Sequence, residues 1–214
     1  MSMCKICFKD IKVNSINSLR KDLCICDSCF KLFNPRFIET KIQNIPTLII
    51  YNYDETIKEK LFLLKGCYDI ELGPIFLNRF LFELRLKYRG YILVCLPSSK
   101  EDDELRGFNH VEEIFKVLKL PIVHILYKKF KFKQSDLNKE ERNKIKSKLG
   151  YKDLHLITNK KVLIVDDVLT TGSSINAAID LVKLGHPKRI KILILSKRIN
   201  PKIKSSFSIK SLMK

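Results

Sequence analysis

The sequence is most informative at Val162-Leu-Ile-Val-Asp-Asp-Val-Leu-Thr-Thr-Gly-Ser-Ser174. The four apolar residues at its start are typical of a strand that is buried on both faces. Two adjacent carboxylates follow, and a short turn rich in hydroxyl groups leads into a segment with helical periodicity. The stretch therefore predicts a strand, an acidic turn and a helix N-terminus that could hold a phosphate through its N–H groups and Gly172. An ordinary helix start capped by Asp or Ser is the alternative interpretation.

Strands alternate with helices on both sides of this stretch. The predicted strands lie at 47–53, 91–96, 122–127 and 190–195, and the predicted helices at 55–64, 74–86, 109–118, 138–149 and 173–184. Such alternation predicts an α/β fold, with a doubly wound and mainly parallel sheet that helices cover on both faces. Ligands of these sheets bind at the carboxyl ends of the strands, so the junction after Val165 is a candidate site.

Five of the seven cysteines lie close together in the first 29 residues. Cys4 and Cys7 form one pair with two intervening residues, and Cys26 and Cys29 form a second such pair, with 18 residues between Cys7 and Cys26. This spacing is typical of a structural zinc ion held by four thiolates, which leave no open position for catalysis. Cys24 is either a spare thiol or a competitor for Cys26. Unrelated free thiols are the alternative for the whole group.

Composition and charge narrow the classes of function. The 45% hydrophobic content of the 214 residues excludes a disordered chain. The net charge of +18 favours a polyanionic partner such as nucleic acid or a phosphate ester. No apolar run reaches the roughly 18 residues of a transmembrane helix, and no secretory signal begins the sequence. We therefore expect a cytoplasmic protein with no transmembrane segment and with reduced cysteines.

The stretch from Val162 to Ser174 resembles the phosphoribosyl pyrophosphate (PRPP) motif of type I phosphoribosyltransferases. This resemblance implies that Asp166 and Asp167 are the catalytic acids and hold the ribose hydroxyls, and that PRPP arrives with Mg²⁺. It assigns the 5′-phosphate to Thr170, Thr171, Gly172, Ser173 and Ser174. Some family members have an acidic base at the position of Thr170, and a threonine cannot replace it.

A second loop, Leu96-Pro97-Ser98-Ser99-Lys100, resembles the pyrophosphate-binding loop of the same enzymes. The resemblance implies that Ser98, Ser99 and Lys100 contact PRPP, whereas composition alone is equally consistent with a plain loop after a core strand. Four acidic residues follow at 101–104, where many relatives carry basic residues. These acids would repel a pyrophosphate unless they bind Mg²⁺ or face solvent.

Three further features together resemble the ComF family of competence proteins. They are Arg106-Gly-Phe-Asn109 followed by His110, the segment 134–142, and the four-cysteine module. Lys65-Gly66 before Asp69 resembles another family segment. The resemblance implies a zinc-ribbon module at 1–46, a phosphoribosyltransferase-like domain at 47–198 and a basic tail at 199–214.

The same resemblance implies a role in the uptake or processing of single-stranded DNA during natural transformation. It also implies a partnership with the competence helicase of that pathway, which would place the chain peripherally at the inner face of the membrane. No phosphate loop of the Gly-x4-Gly-Lys type occurs, so the chain is not the motor itself. Two alternatives remain: an active phosphoribosyltransferase of nucleotide metabolism, and a non-catalytic nucleic-acid-binding module on the same fold.

Two basic regions are candidates for binding nucleic acid. The first interleaves cations with aromatic rings, which suits a single strand: Lys128, Lys129, Phe130, Lys131, Phe132 and Lys133. An edge strand with solvated lysines is the alternative for this region. The second runs from residue 181 to 214 and contains ten Lys or Arg and no acidic residue. A solvated tail is an equal alternative there.

Overall fold

The computed structural model describes residues 3–11, 23–98, 100–129 and 149–198, with the backbone alone at 100 and 101. Its main sheet has five strands, which are β1 (Ile38–Ile42), β2 (Ile45–Asn52), β3 (Tyr91–Cys95), β6 (Lys161–Leu169) and β7 (Arg189–Lys197). Their order in the sheet is β1-β2-β7-β6-β3, and all are parallel except β1 at one edge. Strands β4 (Leu126–Lys128) and β5 (Leu149–Tyr151) form a separate antiparallel pair.

Helices cover both faces of the sheet. Along β6, Leu163 and Val165 contribute to one core cluster while Val162 and Ile164 contribute to the other. This alternation is what a strand buried on both faces requires, and the predicted α/β fold with a mainly parallel sheet is confirmed. The helices are α1 (Asp27–Phe30), α2 (Glu55–Gly66), α3 (Leu81–Lys87), α4 (Lys100–Arg106), α5 (His110–Phe115) and α6 (Ser173–Lys183).

The single helix predicted at 74–86 is wrong. The chain instead forms 3₁₀ turns at Ile70–Phe76 and Asn78–Phe80 before α3 begins. Pro74 has no N–H to donate and disfavours helical geometry in the residue before it. That residue, Gly73, packs so closely against α5 that a Cβ would lie 2.9 Å from the carbonyl oxygen of Glu113.

The strand predicted at 122–127 is also largely wrong. Only Ile122 bridges to Leu93 of the main sheet, and β4 begins four residues later and pairs with β5. Leu149, predicted as the last residue of a helix, is the first residue of β5, and the rest of that predicted helix lies outside the described residues.

A hairpin formed by β1 and β2, which begins upstream of residue 47, belongs to the main sheet. Strands β1 and β2 pair from Ile38 opposite Ile49 to Ile42 opposite Ile45. The two turn residues, Gln43 and Asn44, both have positive φ angles, as a tight hairpin turn requires. The predicted boundary between two domains at residue 46 stays a prediction.

The described helices give no sign of a bilayer-spanning segment. None of them is both long enough and apolar enough to cross a membrane.

Candidate functional site

Two adjacent carboxylates lie near the carboxyl end of β6. The strand continues through both acids to Leu169 because β7 pairs with it along this length, with Asp166 opposite Ile194. The sequence predicted an acidic turn here, so the difference arises from tertiary pairing. The Asp167 side chain is buried, and its Oδ2 accepts hydrogen bonds from Lys65 Nζ and His110 Nε2, each at 3.1 Å.

Lys65 and His110 determine the ionisation of Asp167. Burial raises the pKa of this carboxyl, but the hydrogen bond from His110 and the charge of Lys65 outweigh burial and hold the pKa below its ordinary range. His110 Nδ1 is buried and has no hydrogen-bond partner within the described part of the chain. The proton of a neutral His110 ring therefore lies on Nε2, where Asp167 accepts it.

Asp166 differs from its neighbour in pKa and in access to solvent. Its Oδ1 accepts a hydrogen bond from the Asp167 N–H at 2.9 Å, and its side chain is partly exposed. Burial, followed by the negative charge of Asp167, raises the pKa of Asp166 well above its ordinary value. A cation bound at Asp166 would stabilise its ionised form.

The hydroxyl-rich loop lies between β6 and α6, next to the two carboxylates. Thr170, Thr171, Ser173 and Ser174 are all exposed, and the hydroxyl oxygens of Thr171 and Ser173 lie 2.9 Å apart. Gly172 is the residue before α6 and has a left-handed φ of 81°. The loop thus presents hydroxyls and a helix N-terminus to solvent, which is the arrangement that binds phosphate.

Replacement of Gly172 by alanine is expected to lower the Tm by about 2–4 °C. A left-handed backbone costs an L-residue about 1 kcal/mol, while the nearest atom to an added Cβ, 3.5 Å away, leaves it room. Thermal unfolding followed by circular dichroism measures the shift. Ser174→Ala in the same loop is the control, and an equal loss in both variants would contradict the role of the φ angle.

The loop after β3 is hydrogen-bonded to the acidic segment that follows it, and its predicted contact with PRPP stays a prediction. The Ser98 hydroxyl donates to Asp103, whose carboxylate also accepts from Arg106 Nη2 at 2.9 Å and Asn109 Nδ2 at 3.0 Å. The Asp103 carboxylate therefore faces polar side chains of its own segment, and this side chain is 27% exposed. Ser99 lies outside the described residues, and Lys100 is described by its backbone alone.

The Arg-Gly-Phe-Asn motif contributes more to the site than the sequence indicated. Asn109 caps α5, as predicted, by accepting the Glu112 N–H, and this cap places His110 at the start of the helix against Asp167. The sequence did not identify His110 as a site residue. The available signal was its position directly after a motif that already resembled a functional family.

The first basic region is described only at its start. Lys128 and Lys129 are exposed on and just after β4, which accords with either nucleic-acid binding or a solvated edge strand. The other candidates, residues 130–133, lie outside the described residues, as do the segment 134–142 and the tail at 199–214.

The four predicted zinc ligands come together. The sulfur atoms of Cys4, Cys7, Cys26 and Cys29 all lie within 4.8 Å of one another, and those of Cys7 and Cys26 are 3.8 Å apart. Tetrahedral zinc with Zn–S bonds of about 2.3 Å requires sulfurs about 3.8 Å apart, so the donor set fits this metal. Backbone hydrogen bonds, led by that from Cys26, outweigh burial and lower the pKa of Cys4 to about 6, which favours the thiolate.

Cys24 is not part of this cluster. It is buried in the core, and burial raises the pKa of its thiol to about 11. Its N–H donates to Asn78 Oδ1 at 3.2 Å, so the backbone between the two cysteine pairs is tied to the 3₁₀ segment. The structure thereby resolves the choice between Cys24 and Cys26 in favour of Cys26.

The four-cysteine cluster packs directly on the α/β body. Arg79 is buried, donates to the Ile25 carbonyl oxygen at 2.9 Å and pairs with Asp27 at 2.6 Å. Its guanidinium also lies 5.4 Å from the centre of the Phe30 ring, which meets Phe80 edge-on. Loss of the metal would therefore disturb the core as well as the cluster.

Comparison with known proteins accords with this architecture. The model of the phosphoribosyl transferase domain family matches residues 104–214. The competence protein ComFC of Streptococcus pneumoniae is 26% identical over 90% of this chain and 98% of its own length. ComFC of Bacillus subtilis is 30% identical over 60% of this chain and 54% of its own length. The bifunctional protein PyrR of Lactococcus lactis is 56% identical over 20% of this chain and 25% of its own length.

The family match includes β6, both carboxylates and the hydroxyl-rich loop. The ComFC similarity extends over most of the chain, which also carries the four-cysteine cluster. The chain therefore belongs to the phosphoribosyl transferase domain family and is similar, over nearly its whole length, to the ComFC competence proteins.

Proposed function

We propose that this chain binds PRPP with Mg²⁺ at the carboxyl edge of its sheet and takes part in the uptake or processing of single-stranded DNA during natural transformation. One observation supports the first half above all. Asp167 is held ionised by Lys65 and His110 beside an accessible Asp166, next to an exposed hydroxyl-rich loop. The second half rests on similarity to ComFC competence proteins.

Asp166 and Asp167 have different roles at the proposed site. Asp166 contacts the ribose hydroxyls or the Mg²⁺ that accompanies PRPP, because its carboxylate is the more accessible one and gains most from a nearby cation. Asp167 is the more buried of the two, and its Oδ2 is engaged by Lys65 and His110, so it orients the strand end and supplies fixed negative charge.

The phosphates of PRPP have separate places in this proposal. The 5′-phosphate lies in the loop from Thr170 to Ser174, at the start of α6. The pyrophosphate lies against the loop of Ser98, Ser99 and Lys100, where Mg²⁺ neutralises its charge. Arg106 compensates the charge of Asp103, which lessens its repulsion of the pyrophosphate.

Turnover is the second candidate function. An active phosphoribosyltransferase would use Mg²⁺ and cations to stabilise the leaving pyrophosphate. The observation in its favour is the internal pairing of Asp103, which lessens an electrostatic obstacle to the leaving group. Release of pyrophosphate from PRPP in the presence of purine and pyrimidine bases tests it, and PRPP binding without release would identify a binding module.

Calorimetric titration of PRPP into the full chain, with and without Mg²⁺, tests the proposed site. Binding that requires Mg²⁺ is expected, whereas no heat and no thermal stabilisation under either condition would contradict the proposal. Fluorescence anisotropy with single-stranded DNA tests the second half, and a co-purification assay with the competence helicase tests the proposed partnership at the inner face of the membrane.

The affinity for PRPP with Mg²⁺ is expected to fall as the pH is lowered, and to begin falling above the pH range in which an ordinary Asp titrates. The pKa of Asp166 is raised, so this carboxyl takes up a proton at a pH where an ordinary Asp, with a pKa of about 3.9, stays ionised. Protonation removes the charge that holds the metal, and binding weakens. The Asp166→Asn variant controls for titration of PRPP itself, and identical pH profiles in variant and wild type would contradict this assignment.

A further inference from the structure

Six cations gather at the edge of the sheet opposite the proposed PRPP site. The strands β3, β6 and β7 are parallel neighbours, so their amino ends lie together. Lys161 and Asp166 are five residues apart on β6, which places this edge about 17 Å from the carboxylate pair. We call these residues the amino-edge cluster: Arg89, Lys160, Lys161, Lys188, Arg189 and Lys191.

The register of the strands places these cations side by side. Lys161 pairs with Arg189 on one side and with Tyr91 on the other, and adjacent strands lie about 4.8 Å apart. In the turns before β6 and β7, the Lys188 N–H donates to the Lys160 carbonyl oxygen at 2.8 Å. Backbone hydrogen bonds therefore hold the start of β6, with Lys160 and Lys161, next to the start of β7, with Lys188 and Arg189.

Two buried tyrosines position the lysines. The Lys191 ammonium lies 5.4 Å from the centre of the Tyr91 ring and 5.7 Å from that of Tyr88, and the Lys161 ammonium lies 6.0 Å from Tyr91. The two rings are only 4% and 1% exposed. Because the rings are buried, they fix the cations without themselves offering an apolar group to a bilayer, and the charges that they hold suit a phosphate backbone.

Little of this positive charge is neutralised within the molecule. Arg89, Lys160, Lys188 and Arg189 are exposed and form no ion pair among the described residues. Glu39, whose pKa is lowered mainly by Lys87 and also by the charge of Lys191, pairs with Lys87 at 2.7 Å. The cluster therefore offers several exposed cations to an external polyanion.

We infer that the amino-edge cluster binds the phosphates of single-stranded nucleic acid. This inference rests on the proposed function and adds the surface that serves it. The cluster and the carboxylate pair lie at opposite ends of the same β-strands. The chain can therefore bind single-stranded nucleic acid and PRPP at the same time, because neither ligand blocks the site of the other.

Fluorescence anisotropy with labelled oligothymidylate and the full chain tests this surface. The triple variant Lys160→Ala, Lys188→Ala, Arg189→Ala is compared with the charge-matched control Lys58→Ala, Lys116→Ala, Lys152→Ala. We expect affinity at low salt to fall on the order of tenfold in the first variant and less than about twofold in the control. The slope of log affinity against log salt concentration should drop by about 2, since each lost phosphate contact removes about 0.7.

The outcomes separate this surface from the proposed function. If the wild type fails to bind oligothymidylate at low salt, the proposed DNA role fails. The amino-edge inference is overturned if the wild type binds but the amino-edge variant has the same affinity as the control. It is also overturned if the double variant Lys128→Ala, Lys129→Ala loses the affinity for oligothymidylate instead. The inference would also be overturned, in favour of a membrane, if the amino-edge variant lost more affinity for phosphatidylglycerol vesicles than for oligothymidylate. Unchanged Tm and PRPP binding show that the variants are folded.

Discussion

Replacement of Cys4 by serine is expected to remove the metal and to lower the Tm by roughly 10 °C or more. Loss of a structural metal costs on the order of 4–5 kcal/mol, and a chain of this size loses about 2–4 °C per kcal/mol. The effect should be large because the cluster is packed on the core through Arg79 and Phe30. Elemental analysis should find one zinc per chain in the wild type and almost none in the variant.

Two other cysteines provide controls for the zinc prediction. Cys67 is exposed and outside the cluster, so Cys67→Ser should keep both zinc and Tm. Cys24 is buried but is not a ligand, so Cys24→Ser should lose some stability while keeping one zinc per chain. Absence of zinc from the wild type, or a full zinc content in Cys4→Ser, would contradict the assignment.

The Asp166→Asn variant is expected to weaken PRPP binding in the presence of Mg²⁺ by about 100-fold, or about 2.7 kcal/mol. Asparagine keeps the shape of the side chain but cannot supply the negative charge that Mg²⁺ or the ribose hydroxyls require. Stability should change little or rise, since the ionised Asp166 is disfavoured by burial and by the charge of Asp167. Calorimetry at constant Mg²⁺ measures the affinity.

Asp180→Asn is the matched control for this variant. Asp180 is exposed on α6, the helix that follows the proposed phosphate loop, and the substitution removes the same charge. An equal loss of affinity in both variants would show a general electrostatic effect and would contradict a specific role of Asp166.

Local sequence patterns predicted the parts of the fold that local chemistry determines. The apolar run from Val162 to Val165 is buried on both sheet faces, and the spacing of the two cysteine pairs corresponds to four sulfurs in one cluster. Helix α2 begins at Glu55, where its pattern predicts. These features depend on residues that are close in the chain or on a known ligand spacing.

The features that the sequence missed depend on distant contacts. Lys65 lies 102 residues from Asp167, and His110 lies 57 residues from it, so only the folded chain shows that they share one carboxylate. The length of β6 is a second example. Aspartate disfavours strands, but β6 extends through both acids because β7 pairs with it there. Helix 74–86 failed because Pro74 and the close approach of α5 overrode its apolar periodicity.

The effect of the four acids at 101–104 also depends on contacts that the sequence alone does not show. Read in sequence, they form a negative stretch next to a proposed pyrophosphate loop. In the fold, Asp103 turns toward Arg106 and Asn109, and the motif that follows the acids compensates one of them. The formal charges of these four residues therefore overstated the repulsion of a pyrophosphate at this loop.

A crystal structure of the full chain with PRPP and Mg²⁺ tests the central claim most directly. We predict that the ribose hydroxyls or the metal contact Asp166, that the 5′-phosphate lies in the loop from Thr170 to Ser174, and that the pyrophosphate lies near Ser98. The zinc ion should be visible among the four cysteines in the same crystal. PRPP bound elsewhere, or its absence from this edge at saturating concentration, would contradict the account.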